Sequence, residues 1–526
     1  MEREPFLQRA RACSRLTLPY LIPPDGMARG QRLPSPHHSV GAAGVSNLAS
    51  KLLLSMLPPN EPCFRLQFDN LQLEREQEQA DPDFMAKLDK ALSRIERAVL
   101  ADVEARGDRP VVYEGNLHLL VGGNVLYHDT GSGLRLLPLS RYVLERDPEG
   151  RVLEIVVKEE LSPRTLPAPL RKRLREMKAG DAREQGKQEA GDDSPAGDED
   201  TIDLYTRIWR LNDRLWAMEQ ECYGEVVEGT YGTETNDRLP WMPVRMYRVA
   251  GENYGRSYVE QFLGDLHSLD VLMRALLDAS ALAARVVYLV RPNSFVNVDK
   301  LTAAPNGAVI QGNAEDVTTL QLQKSADLQV TLQEIQGLEN RLRTAFLMME
   351  GARRDAERVT AEEIRLIAQE LESGLGGVYT VISREFQLPY IRQKMKALAA
   401  SGKLPDLPDG LVAPSIVTGF EALGRGNDRQ KLMEFLGLLG QTFGGEALRY
   451  INPSSAISRL AASMGITTEG LVKDEQTLAA EAQQAQQEQQ QMLMQQQAGD
   501  MLSAAAPQLA QQMGNALGGG NDAGSI

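Results

Sequence analysis

Asp147, Glu154 and Lys158 are the residues of this chain whose types and spacing come nearest to chemistry. Two carboxylates and a lysine in one short stretch loosely match the set with which metal-dependent nucleases hold a divalent ion and activate water. Local context gives each a plainer role. Asp147 opens the turn Asp147-Pro148-Glu149-Gly150, whose first position favours aspartate. Glu154 and Lys158 are four apart on a strand-like run, so they share a face, where alternating charge is ordinary. The five histidines, His37, His38, His118, His128 and His267, lack a spacing that puts two on one helical face as metal ligands. Cys13, Cys63 and Cys222 stand far apart with no CxxC pair, which fits a reducing compartment. GxxxxGK[ST], HExxH, GxSxG and a GxGxxG opening a βαβ unit are all missing. The sequence therefore predicts no catalytic residues, no metal and no cofactor: not an enzyme.

A second candidate is a charged segment containing three arginines. The segment Glu350 to Arg358 sets Arg353, Arg354 and Arg358 against Glu350, Asp355 and Glu357, for a net charge of zero. A segment built to grip phosphates would keep an excess of Lys or Arg, and this one has no such excess. The whole chain has a formal charge of −15, the opposite of a sequence-independent nucleic-acid binder. Most of its surface repels a polyanion, a repulsion that fades over about 8 Å at physiological salt.

The elements that would position these residues follow from periodicity. At 526 residues, 42% hydrophobic and 25% charged, the chain can bury more than one packed region and is not dominated by disorder. Residues 81–106 read as an amphipathic helix, with Asp81 as N-cap, Pro82 at its first position, and Phe84, Leu88, Leu92, Ile95, Val99 and Val103 on one stripe. Val111 to Val249 reads as antiparallel hairpins, one turning at Asp147 to Gly150 and another at Asn212 and Asp213. Within it, residues 162–200 are rich in Pro, Gly and charge and predict a mobile surface loop. From Gly255 to about Val290 the helical period of Phe262, Leu266, Leu269, Leu276 and Leu277 predicts one helix, roughly 54 Å long if unbroken. A Pro- and Asn-rich interval from Arg291 to Lys324 holds the strand-like pieces Ala308 to Gly312 and Thr319 to Gln323. A second helix starts at Ser325, with Leu328, Leu332, Ile335, Leu338, Leu342 and Phe346 nearly as regular as a coiled-coil seam. Thr360 and Glu363 have the spacing of a capping box for a third helix, which Gly374, Gly376 and Gly377 should bend. Short helices near Asp428 to Phe443 and Pro453 to Met464 lead to a glutamine-rich polar tail. The longest apolar stretch, around Leu48 to Leu57, is broken by Lys51 and closed by Pro58 and Pro59, so neither a membrane span nor a signal peptide is expected.

Five stretches together resemble the head-to-tail connector, or portal, family of short-tailed phages: Cys13 to Gly26, Gly44 to Pro59, Gly251 to Asp270, Glu357 to Pro389 and Thr418 to Gly426. Their order and spacing span most of residues 10–470, and the likeness weakens over 162–200 and in the tail. The resemblance implies a mainly helical α+β portal-type subunit that assembles as a ring, usually of twelve copies. It implies a wing at 1–254, a first stem helix at 255–290, a clip at 291–324, a second stem helix at 325–347 and a channel loop at 348–359. A channel helix returning to the wing at 360–424, a crown at 425–475 and the tail at 476–526 complete the order. It further implies that Glu350, Arg353, Arg354, Asp355, Glu357 and Arg358 face DNA, and that the clip residues Arg291, Asn293, Asn297 and Asn306 contact motor and adaptor. The implied partners are double-stranded DNA, the terminase large subunit, the major capsid and scaffold proteins and a tail adaptor, with no membrane. The implied place is the portal vertex of a virion assembled in the host cytoplasm. The competing readings are another tail or scaffold component using the same stripes, and the nuclease set above.

Overall fold

The computed structural model describes residues 3–27, 30–59, 63–67, 83–162, 202–222, 224–283, 287–294, 296–320, 325–348, 366–367, 369–371, 374–375, 377–404, 415–418, 425–443, 456–457, 460 and 487. The chain divides into two units, Met1–Gly424 and Arg425–Ile526.

The first unit opens with helix α1 (Glu4–Leu16), started by Pro5 and closed beside Arg15, which buries Leu7, Ala10, Cys13 and Leu16. Helix α2 (Val40–Met56) follows, its buried face carrying Val45, Leu48, Ala49, Leu52 and Met56. Strand β1 (Phe64–Gln67) precedes helix α3 (Asp83–Arg106). The expected stripe of α3 is buried at Leu92, Ile95, Val99 and Val103.

Arg109–Gly122 is helix α4, where the hairpin reading of Val111 onward predicted strands. Its residues Val112, Leu117, Leu119, Leu120 and Val121 are all buried, with α1 and α2 packed against it. From Gly115 to Gly122 every residue is buried, so this stretch shows no solvent face and the 3.6-residue period that marks a half-exposed helix is lost.

The β region beyond it forms two sheets. Strands β2 (Asn124–Asp129) and β3 (Leu134–Pro138) make a hairpin on the core. A larger antiparallel sheet begins with β4 (Tyr142–Arg146), β5 (Val152–Leu161), β6 (Ile202–Arg210) and β7 (Leu215–Cys222) in that order. Its turns fall where the sequence places them, at Asp147 to Gly150 and at Asn212 and Asp213. Strands β8 (Glu225–Val226) and β9 (Gly232–Thr235) both pair with β7, and β10 (Trp241–Arg245) pairs with β2. Residues 163–200 of the expected mobile loop lie outside the described residues; their flanks are fixed, because Leu161 pairs with Ile202.

Helix α5 (Leu263–Ala283) is shorter than the span to Val290 predicted from the apolar period. Val287–Val290 is instead strand β11, paired with β12 (Val317–Leu320), with helix α6 (Val298–Thr302) between them. The β-branched Val287 and Val290 favour this short ribbon, and an apolar run at helical spacing does not distinguish the two states over four residues. Of the strand-like pieces, Thr319 and Leu320 lie in β12, whereas Ala308 to Gly312 forms no strand.

Helix α7 (Ser325–Ala345) starts at the expected residue and runs back along α5. Phe262 lies 5.8 Å from Phe346 between ring centroids, and Asp265 faces Arg341. The pair is therefore an antiparallel hairpin whose base carries the aromatics. Thr360 and Glu363 lie outside the described residues. Helical positions at 369–371 and 374–375 end at Gly377, whose φ of +80° is the left-handed conformation that glycine takes without strain and that bends the path as the glycine cluster predicted. Helix α8 (Val378–Ile382), a π-turn over Ser383–Gln387 and helix α9 (Leu388–Ala400) carry the chain on to strand β13 (Ser415–Thr418), which pairs with β1. The second unit contains helix α10 (Arg425–Phe443). Of the glutamine-rich tail only residue 487 is described, in a helical conformation.

Candidate functional site

The six residues Glu350, Arg353, Arg354, Asp355, Glu357 and Arg358 lie outside the described residues, so the site is built from what holds the chain on either side of them. Upstream, α7 closes at Ala345, and Leu347 takes a positive φ of 51°, the one non-glycine among the described residues to do so. A leucine in that region costs roughly 1–2 kcal/mol and persists only where its surroundings impose it. Helix α2 supplies those surroundings. A Cβ at Gly44 would stand 2.4 Å from the Phe346 ring, so glycine is what lets Phe346 seat against the helix. One turn on, Asn47 Nδ2 donates to the carbonyls of Phe346 (3.0 Å) and Leu347 (3.1 Å). A turn further, Lys51 Nζ donates to the Leu347 carbonyl at 3.0 Å and to Glu370 Oε2 at 2.8 Å. Positions 44, 47 and 51 share one helical face, so the arrangement follows from spacing. Tyr258 adds a hydroxyl bond to the Ala345 carbonyl.

Helix α2 is itself fixed. Its last carbonyls accept from Tyr379 Oη at Ser55 (2.7 Å) and from Gln387 Nε2 at Met56 (2.8 Å), and Asn116 Nδ2 reaches the Ala49 carbonyl. Behind it, two buried charge clusters lock distant segments. Lys394, fully buried, lies 3.2 Å from Asp108 and 3.1 Å from Asp129. Asp108 also accepts the Tyr390 hydroxyl (2.6 Å) and the Leu134 amide. Burial raises the Asp108 pKa, but the Tyr390 and Leu134 bonds and the Lys394 charge outweigh it and hold the carboxyl below its ordinary value. Glu385, on the π-turn, accepts from the Arg245 amide (2.9 Å) and Nε (3.0 Å), with Arg146 3.7 Å away.

The remaining sequence candidates separate. Arg291 is 3.9 Å from Asp316, and its amide donates to the Asp316 carbonyl, closing the end of the β11–β12 ribbon. Asn297 caps α6 by accepting the Lys300 amide. Asn293 and Asn306 are exposed on the same insert, as is Val309, which is 99% exposed. Glu154 is paired with Arg207 (2.6 Å) and Lys158 with Asp203 (2.7 Å), while Asp147 accepts the Arg151 amide inside its turn. Each is already satisfied and none converges on a common point. Among the described residues no group of three or more His, Cys, Asp or Glu is placed to hold a metal. His118 is buried and His128 half-buried, and desolvation pushes both pKa values down to about 4. Spacing could not have found Lys51, which reads only as an interruption of an apolar run, nor Asp108 and Tyr390, which are 282 residues apart.

Among the described residues the charged candidates are held in ion pairs and turn hydrogen bonds, and the chain on either side of residues 349–365 is anchored to α2. The family model described as "Bacteriophage head to tail connecting protein" matches residues 1–472. The portal protein of Escherichia phage T7 is 37% identical over 491 residues, covering 92% of this chain and 88% of the relative. The portal protein of Enterobacteria phage T3 is 35% identical over 489 residues with the same coverage, and that of Pseudomonas phage phiKMV is 30% identical over 495, covering 91% of each. A solved chain from the neck of an empty GTA particle shares 13% identity at a TM-score of 0.33, over 77% of this chain and 87% of that one. The chain belongs to the bacteriophage head to tail connecting protein family. It is a structural connector of the podophage virion, a portal protein and not an enzyme, and the nuclease reading of Asp147, Glu154 and Lys158 falls away.

Proposed function

We propose that the chain forms a closed ring, of twelve copies, at one vertex of the capsid, through which double-stranded DNA enters during packaging and leaves on ejection. Likeness to portal proteins along nearly the whole chain carries this reading. The α5–α7 hairpin supports it physically. Leu277 and Leu332 belong to the two apolar stripes yet are 52% and 44% exposed, and Val271, Leu282 and Val330 are exposed beside them. Two helices that leave apolar stripes in water as a single chain gain by packing against copies of themselves.

On this reading residues 1–254 are the wing, 255–290 and 325–347 the stem, 291–324 the clip, 348–359 the channel loop, 360–424 the return to the wing and 425–475 the crown. Arg291, Asn293, Asn297 and Asn306 then lie on the clip that meets the terminase large subunit and later the tail adaptor, while capsid and scaffold proteins surround the wing. Assembly takes place in the host cytoplasm. Arg353, Arg354 and Arg358, balanced by Glu350, Asp355 and Glu357, touch passing DNA without gripping it. Electron-microscopic class averages of the purified protein should contain closed rings; a stable monomer or dimer under all conditions would sink the proposal.

A further inference from the structure

The reading of residues 348–359 as the DNA-facing segment leaves open what sets the position of that segment against the rest of the subunit. We propose that Lys51 is a positioning residue for DNA passage: its one ammonium joins the two chain ends, Leu347 and Glu370, between which the segment runs. The inference rests on the proposed role of that segment and adds to it a residue more than 290 positions away.

Lys51 is 6% exposed, on a helix face it shares with Gly44, Asn47, Leu48, Leu52 and Ser55. Burying an ammonium is expensive unless it is paired and hydrogen-bonded, and an apolar side chain at this position would pack with no such demand. The lysine's contacts explain its presence. A cation placed only to close the last turn of α7 would need the Leu347 carbonyl alone, and Asn47 already donates there. Lys51 reaches in addition to a carboxylate 23 residues further along the chain, beyond the whole segment. Since α2 is tied to Tyr379 and Gln387, the spacing of the two ends is measured from a rigid element and not from one loose strand to another.

The test uses the full chain, as rings and in phage particles, with three changes: Lys51→Met, Glu370→Gln, and Arg353→Ala with Arg354→Ala. Lys51→Met leaves the Leu347 carbonyl its Asn47 donor and leaves Glu370 with a side chain 35% exposed to water, so rings should still form. Amide exchange should speed at least ten-fold in Lys51→Met both at 344–348 and at 369–375, and packaged DNA should be retained at least ten-fold less well. Glu370→Gln should reproduce the retention defect, and the Lys51→Met, Glu370→Gln double change should be no worse than either alone. Faster exchange at one end only, or DNA retention unchanged in both Lys51→Met and Glu370→Gln, would overturn the proposal. If Lys51→Met alone fails to form rings, Glu370→Gln decides by the same retention criterion. A retention defect from Lys51→Met with none from the arginine pair would support Lys51's role and overturn only the assignment of the segment as a DNA contact.

Discussion

His118 and His128 sit where a charge is unwelcome, His118 within α4 and His128 stacked 3.7 Å from Trp241. Both fold with pKa values near 4 because burial disfavours the imidazolium, against an ordinary value of 6.5. The unfolded chain therefore binds more protons between these limits. Stability is at its fullest above pH 6.5, falls as pH drops toward 4, and stops responding to these groups below that. His118 contributes up to about 1.4 kcal/mol per pH unit across the window, and the half-buried His128 less because water screens its charge. The melting temperature should thus fall between pH 7 and pH 5, and His118→Gln, which does not titrate, should flatten that fall measurably. A melting curve as steep in acid for His118→Gln as for the parent would contradict the assignment. None of this is legible in the sequence, where a histidine among leucines in "NLHLLVGG" gives no sign of whether it is buried or at a surface.

At the scale of elements, the strongest sequence signals were stripes and turns that one segment specifies by itself. Ile335, Leu338, Leu342 and Phe346 repeat at threes and fours, and all four are buried as α7 lies against α5. Asp147 to Gly150 turns because Pro148 and Gly150 suit the turn, whatever lies elsewhere. Helix α4 was hidden because it is buried without interruption from Gly115 to Gly122, and the end of α5 was misjudged because Val287, Tyr288, Leu289 and Val290 can serve either period. The base of the hairpin was illegible for another reason: Gly44, Asn47 and Lys51 acquire their meaning only from Phe346, Leu347 and Glu370, some 300 residues away. A test follows from the closest of these approaches. Gly44→Ala places a methyl carbon 2.4 Å from the Phe346 ring, so the aromatic must shift. Overpacking of this kind costs about 1–3 kcal/mol. Thermal unfolding should come several degrees lower, whereas Gly337→Ala, which meets nothing within 4 Å on α7, should leave it unchanged or raised.

For the whole molecule, charge decides more than shape. A chain at −15 repels DNA along most of its surface, and on the proposed reading the neutral segment at 350–358 is where contact is least opposed. Replacing Asp355 by Asn and Glu357 by Gln removes two negative charges from that segment and leaves it at +2 per subunit. Ejection from particles carrying Asp355→Asn and Glu357→Gln should slow at about 50 mM salt and recover toward the parent rate at about 200 mM, since phosphate contacts weaken steeply with salt. An ejection rate that ignores salt in this variant would remove the segment from the DNA path. The family and its non-enzymatic character were legible from ordered motifs and missing ones; where each copy touches its neighbours was not, because an apolar stripe reads the same whether its partner is the same chain or another.

The large sheet closes on the pair Leu161 and Ile202, with the strands zipped from Glu154 opposite Trp209 up to that point. A chain whose exit and re-entry are pinned side by side is indifferent to how much sequence is spliced between them: doubling the length adds only about 0.6 kcal/mol of closure entropy. Position 163 onward is therefore a natural graft point, where a reporter domain or affinity handle can be inserted into the virion connector without rewriting its hydrophobic interior.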